Sequence, residues 1–157
     1  MIQQTFSDIE YAHRRRRTRR ESFLDFMDEL IPWAAWIELI RPCYPTGKRG
    51  RPPRDIETML RMYLIQIWFG LSAAGTTEAV NDSHAMRSFM HLDFMTQQVP
   101  DASTLLRFRH LLEKNHIDEI IAADLNDRLA RAGYTIRNGK IVDAAAVMIR
   151  KQEKEIS

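Results

Sequence analysis

The chain of 157 residues has one cysteine, no apolar run long enough for a bilayer, and an amino-terminal stretch that is polar and then strongly basic. A lone Cys43 forms no internal disulfide and has no partner at zinc-binding spacing, which agrees with a reducing compartment. A membrane span needs about 18 consecutive apolar residues. None occurs and nothing resembles a secretory leader, so the expectation is a cytoplasmic protein with no membrane partner. There is no internal repeat, no phosphate-cradling glycine loop and no Ser-His-Asp arrangement. His13, His84, His91 and His116 lack ligand-like spacing and are expected in surface or capping contacts. Trp33, Trp36 and Trp68 are expected in the core rather than as a base-stacking platform.

What remains is an ordinary composition with uneven charge. Hydrophobic residues make up 45% and charged residues 28%, which suits a soluble globular chain with one good core, or a small helical domain plus the beginning of a second. The formal net charge is only +2, yet residues 1–54 carry 11 Lys and Arg against 7 Asp and Glu, and residues 55–157 carry 12 against 14. The excess is clustered twice. Arg14, Arg15, Arg16, Arg17, Arg19 and Arg20 form one cluster, and Lys48, Arg49, Arg51 and Arg54 form the other. Such clusters favour a polyanionic partner.

Periodicity predicts a mainly helical chain. A basic arm occupies residues 1–19 and a helical domain residues 20–132. Within that domain, Arg20–Leu30 places Phe23, Phe26, Met27 and Leu30 on one side, and a short helix covers Trp33–Ile40. Residues 41–54, with four prolines and two glycines, read as an extended loop. From Asp55 to Phe69 the chain is apolar on nearly every side, as in a helix surrounded by others. Gly70 ends it, and Ser72 and Ser83 are N-caps for two shorter helices. Pro100-Asp101 introduces a helix to Lys114, and a last helix over 117–132 turns Ile117, Ile120, Ile121, Leu125 and Leu129 inward before Gly133. The pattern then becomes strand-like. Tyr134–Arg137 and Lys140–Asp143 flank Asn138-Gly139, the pair a type I′ hairpin turn requires.

Four segments carry candidate chemistry. At about 100° per residue, Ser103, Arg107, His110 and Lys114 share one stripe of the 101–114 helix, opposite Leu105, Phe108 and Leu112. This is the form of the second helix of a helix-turn-helix, with Ser103, Arg107, Arg109 and His110 available to bases or phosphates. The arginine run can neutralise phosphates of DNA or RNA through counterion release, or it is a solvated tail. Arg49-Gly50-Arg51-Pro52 has the core of an AT-hook, whose arginines enter a narrow minor groove, or it is a basic loop between domains. Asp143, after Ile141-Val142, suits a metal-binding carboxylate of a two-metal site, and a lone strand-end aspartate also serves as a turn or cap.

Several segments together resemble one family. They are Arg54-x-x-Glu57-Thr58-Met59-Leu60-Arg61-Met62-Tyr63, Gln66-x-Trp68-Phe69-Gly70-Leu71-Ser72, Ala85-Met86-Arg87-Ser88-Phe89, Pro100-Asp101-x-x-Thr104-Leu105-Leu106-x-Phe108-Arg109-His110-Leu111-Leu112-Glu113 and Val142-Asp143-Ala144. In this order and spacing, behind a basic run, they resemble the amino-terminal part of insertion-sequence transposases of the IS-five type, in the DDE superfamily. The resemblance implies double-stranded DNA at the terminal inverted repeats as partner. It also implies a ribonuclease-H-like domain beginning near residue 133, with Asp143 as first carboxylate of an Asp, Asp, Glu triad holding Mg²⁺ on the first strand. After Ala144 the sequence departs from the family pattern. The expectation is therefore a transposase fragment, with residues 133–157 a truncated start of the catalytic domain that lacks strand cleavage on its own. Intact transposase or a second copy is an expected partner. The alternatives are a regulatory or inhibitory DNA-binding derivative and a non-functional remnant.

Overall fold

The computed structural model describes residues 17–47, 50–93, 95–137 and 140–143. Seven helices, one 3-10 turn and one hairpin account for most of these. The helices are α1 (Arg19–Leu30), α2 (Trp33–Ile40), α3 (Ile56–Phe69), α4 (Ala73–Asp82), α5 (His84–Met90), α6 (Ala102–Lys114) and α7 (Ile117–Arg131). The 3-10 turn is Arg41–Cys43, and the strands are β1 (Tyr134–Arg137) and β2 (Lys140–Asp143). Among the described residues no helix is long and apolar enough to cross a membrane.

Local chemistry sets the helix boundaries. Thr18, Asp55, Ser72, Ser83 and Asp101 each accept a hydrogen bond from a backbone N–H in the first turn of the following helix, satisfying donors that have no partner within the helix. At the other end of α3, Gly70 takes φ +61 and ends the helix in the left-handed region, where a side chain would be strained. His91 and His116 adopt positive φ at the end of α5 and ahead of α7, so both are capping residues, as expected of histidines without ligand spacing.

The spine is α3, which packs against α2, α4, α5 and α6. It is buried on nearly every side, including at Arg61 and Gln66. Phe23, Trp68 and Phe89 stack edge to face at 5.4 and 5.7 Å, and Tyr63 meets Phe108 at 6.2 Å. Trp36 is fully buried and donates from Nε1 to Asp124 at 2.7 Å, joining α2 to α7. Arg61 is the unusual core member. Its guanidinium donates to the Phe89 carbonyl at 2.8 Å and to Asp28 at 2.9 Å, reaches Glu57 at 3.1 Å, and lies 4.0 Å from the Trp33 ring. A buried charge is tolerable only when paired and hydrogen-bonded in this way.

Two details depart from the sequence reading. Ile120, expected inward on α7, is 48% exposed, because Ile117, Ile121, Leu125 and Leu129 already fill the inward stripe. The proline-rich stretch 41–54 is not wholly irregular, since Arg41–Cys43 forms a 3-10 turn in which the Cys43 thiol donates to the Ile40 carbonyl. The strands pair antiparallel from Tyr134 opposite Asp143 to Arg137 opposite Lys140. That register leaves Asn138-Gly139 as the connection, whose turn lies outside the described residues.

Candidate nucleic-acid interface

The site is built on α6. Leu105, Phe108 and Leu112 are buried, while Ser103, Arg107, His110 and Lys114 are exposed on the opposite side. The start of the helix is fixed by Asp101, which accepts from the Thr104 N–H at 2.8 Å, and by Thr77 of α4, whose hydroxyl donates to the Pro100 carbonyl at 3.2 Å. The loop ahead of α3 folds back onto this end. Tyr44 donates to the Arg54 carbonyl, closing the loop on itself, and its ring meets Phe108 edge to face at 6.2 Å. Gly47 takes φ +71, and a Cβ there would come within 2.8 Å of Pro53, so the loop's path requires glycine. The chain also bends at Gly50, with φ +79, within the AT-hook-like segment.

Loop and helix enclose a groove of about 640 Å³, with Tyr44, Arg51, Arg54, Gln98, Asp101 and Arg107 among its lining. The structure thus brings together two segments about 50 residues apart in sequence. Among the described residues, none of Arg51, Arg54 and Arg107 forms an ion pair. Arg41, Arg61, Arg109, Arg128 and Arg131 are all paired with carboxylates. Unpaired guanidiniums facing one groove leave positive potential for an anion. Hydrogen bonds from the Thr104 side chain and backbone, with Arg107 and Arg51 nearby, hold the Asp101 carboxyl below the usual carboxylate range. A second cleft of about 530 Å³, between α3 and α7, has Asp118 and no cationic residue in its lining, and offers nothing to a phosphate.

The other sequence candidates are spread more widely. Arg109 is on α6 but is engaged with Glu113 at 2.9 Å. Arg17 pairs with Glu21 and Asp25, and Arg20 stands over the Phe69 ring at 5.3 Å. Arg20 therefore sits by the C-terminal end of α3, whereas Arg54 precedes its N-terminus, a helix length of about 21 Å away. Arg19 opens α1 and is exposed. Arg14, Arg15, Arg16, Lys48 and Arg49 lie outside the described residues. Sequence reasoning missed Tyr44 and Gln98 as groove residues, and saw Asp101 only as a helix cap. No local signal marks the first two, because their role comes from the loop docking on α6.

Asp143 closes β2, the second strand of the hairpin. Among the described residues no three His, Cys, Asp or Glu side chains come together to hold a metal ion.

The helical fold, with a groove whose three arginines form no ion pair among the described residues, defines a candidate polyanion-binding domain. A family profile described as a transposase domain (DUF772) matches residues 12–111. The chain belongs to this transposase family. The whole groove, from Tyr44 to Leu111, falls inside the matched span, and Asp143 falls outside it. No solved structure matches the chain.

Proposed function

We propose that the chain binds double-stranded DNA through the α6 groove, at the terminal inverted repeats of an insertion sequence of the IS-five type, as the DNA-recognition part of a DDE transposase. The observation that carries this reading is the set of three guanidiniums, Arg51, Arg54 and Arg107, that line one groove within the transposase domain and form no ion pair among the described residues. Arg51 and Arg54 on the loop grip backbone phosphates and supply salt-dependent affinity. The exposed stripe of α6 enters the major groove, which is about 12 Å wide and admits a helix. There Ser103, Arg107 and His110, with Arg109 beside them, meet base edges. The helix acts in the manner of a recognition helix, although residues 91–101 joining it to α5 exceed the turn of about three to four residues in a helix-turn-helix. Support from α3, α4 and α7 holds it instead. Arg20, by the other end of α3, and the rest of the basic run Arg14 to Arg20 add contacts to flanking backbone.

In the same reading Asp143 is the first triad carboxylate, and two further carboxylates are needed before Mg²⁺ can be held for strand cleavage.

The test is selection from genomic DNA. The purified chain is incubated with sheared DNA of its source at moderate salt, and the retained fragments are sequenced. Enrichment of a pair of inverted ends flanking its gene is the expected result. Scattered promoters would replace the reading with that of a regulator, and retention of no DNA would refute it.

A further inference from the structure

The groove has one feature that a phosphate grip does not account for. Asp101 is exposed, lines the same groove as Arg51, Arg54 and Arg107, and lies near enough to Arg107 and Arg51 to feel their charge. A fixed carboxylate there would repel any phosphate drawn in by the arginines.

We infer that Asp101 makes the groove selective for a C·G base pair, with its carboxylate accepting from the cytosine N4 amine while Arg107 donates to O6 and N7 of the paired guanine. This rests on the DNA-binding reading above and deepens it. The major-groove edge of cytosine presents an amine donor, and the guanine beside it presents two acceptors. A carboxylate next to a guanidinium mirrors that pattern. Two observations fit Asp101 for the task. Its cap bond to Thr104 N–H fixes the side chain at the first turn of α6, and an ionised carboxylate has about four acceptor sites. The Thr104 bonds occupy only part of that capacity. The Thr104 hydrogen bonds and the nearby Arg107 and Arg51 favour its ionised form, which acts as an acceptor only. The nearby arginines of the groove offset the repulsion its charge would exert on the DNA backbone. Asp101 thus has two roles, starting the helix and excluding base pairs that offer no donor at its position.

The experiment is selection from a randomised duplex library with the full chain, comparing wild type with Asp101→Ser and Asp101→Asn. Both replacements keep a competent N-cap, and circular dichroism checks that the fold is retained. Wild type is expected to prefer cytosine at one position by about tenfold or more. Asp101→Ser should lose that preference at that position alone, and Asp101→Asn should move it toward adenine, the base that an amide pairs with. Tighter binding by Asp101→Ser to all sequences equally, with the preference intact, would overturn the inference and leave the DNA-binding reading standing. Failure of wild type to retain any duplex would overturn that reading itself.

Discussion

Replacing Arg51 and Arg54 together with alanine separates a phosphate grip from a merely basic surface. Both line the α6 groove and neither is ion-paired among the described residues, so each is free to displace counterions from DNA. One phosphate contact adds about 0.9 to the slope of log K against log salt, so the double variant should show a slope shallower by about 1.8. Between about 50 and 200 mM salt the wild type should lose about twelvefold more affinity than the variant. The assay is fluorescence anisotropy of a labelled duplex at several salt concentrations. Tyr44 holds the loop through the Arg54 backbone carbonyl, so truncating the side chain leaves that bond in place, and a thermal melt verifies it. Arg109→Ala is the control. Its guanidinium is already occupied by Glu113, and the slope should change by much less than 0.9. Arg107→Ala should flatten sequence preference with little change in slope. An unchanged slope in the double variant would refute the assignment of these arginines to phosphates.

Other consequences concern the scaffold. Arg61→Ala should destabilise the chain by about 3 kcal/mol in urea denaturation, since it removes a buried, paired cation. Arg61→Lys should recover little, because an ammonium cannot reproduce the planar fork across the Phe89 carbonyl and Asp28. Leu105→Ala should cost about 2–5 kcal/mol and Leu106→Ala under about 0.5, the first being fully buried and the second exposed. Asp124 is held below the usual carboxylate range, first by the Trp36 indole hydrogen bond and then by Arg128. A lowered native pKa stabilises the fold fully above the unfolded value of about 4, and that contribution drains as pH falls through the native value. Asp124→Asn should therefore flatten the acid limb of a stability profile, and an unchanged limb would exclude Asp124 as a contributor.

Much of the helical layout was legible because it rests on local chemistry. Ser72, Ser83 and Asp101 announce helix starts through side-chain acceptors, and Gly70 announces an end through its access to positive φ. The α6 stripe was legible for the same reason, since its period alone separates Leu105, Phe108 and Leu112 from Ser103, Arg107 and His110. Ile120 was misread because periodicity cannot tell how wide an inward stripe its neighbours leave. Burial of Arg61 and Gln66 was invisible, since it depends on what α1, α2 and α5 bring to α3. The groove was half legible. Its arginines stand out as a cluster, but their meeting with α6 depends on Tyr44 reaching Phe108, a contact between residues 64 positions apart in sequence.

The most direct test of the central claim is a backbone amide chemical-shift titration of the isotope-labelled chain with a duplex carrying the selected ends. The account predicts that shifts concentrate in residues 44–54 and 98–110, the two walls of the groove. Shifts confined to α7 and the cleft it forms with α3, with the groove silent, would contradict it.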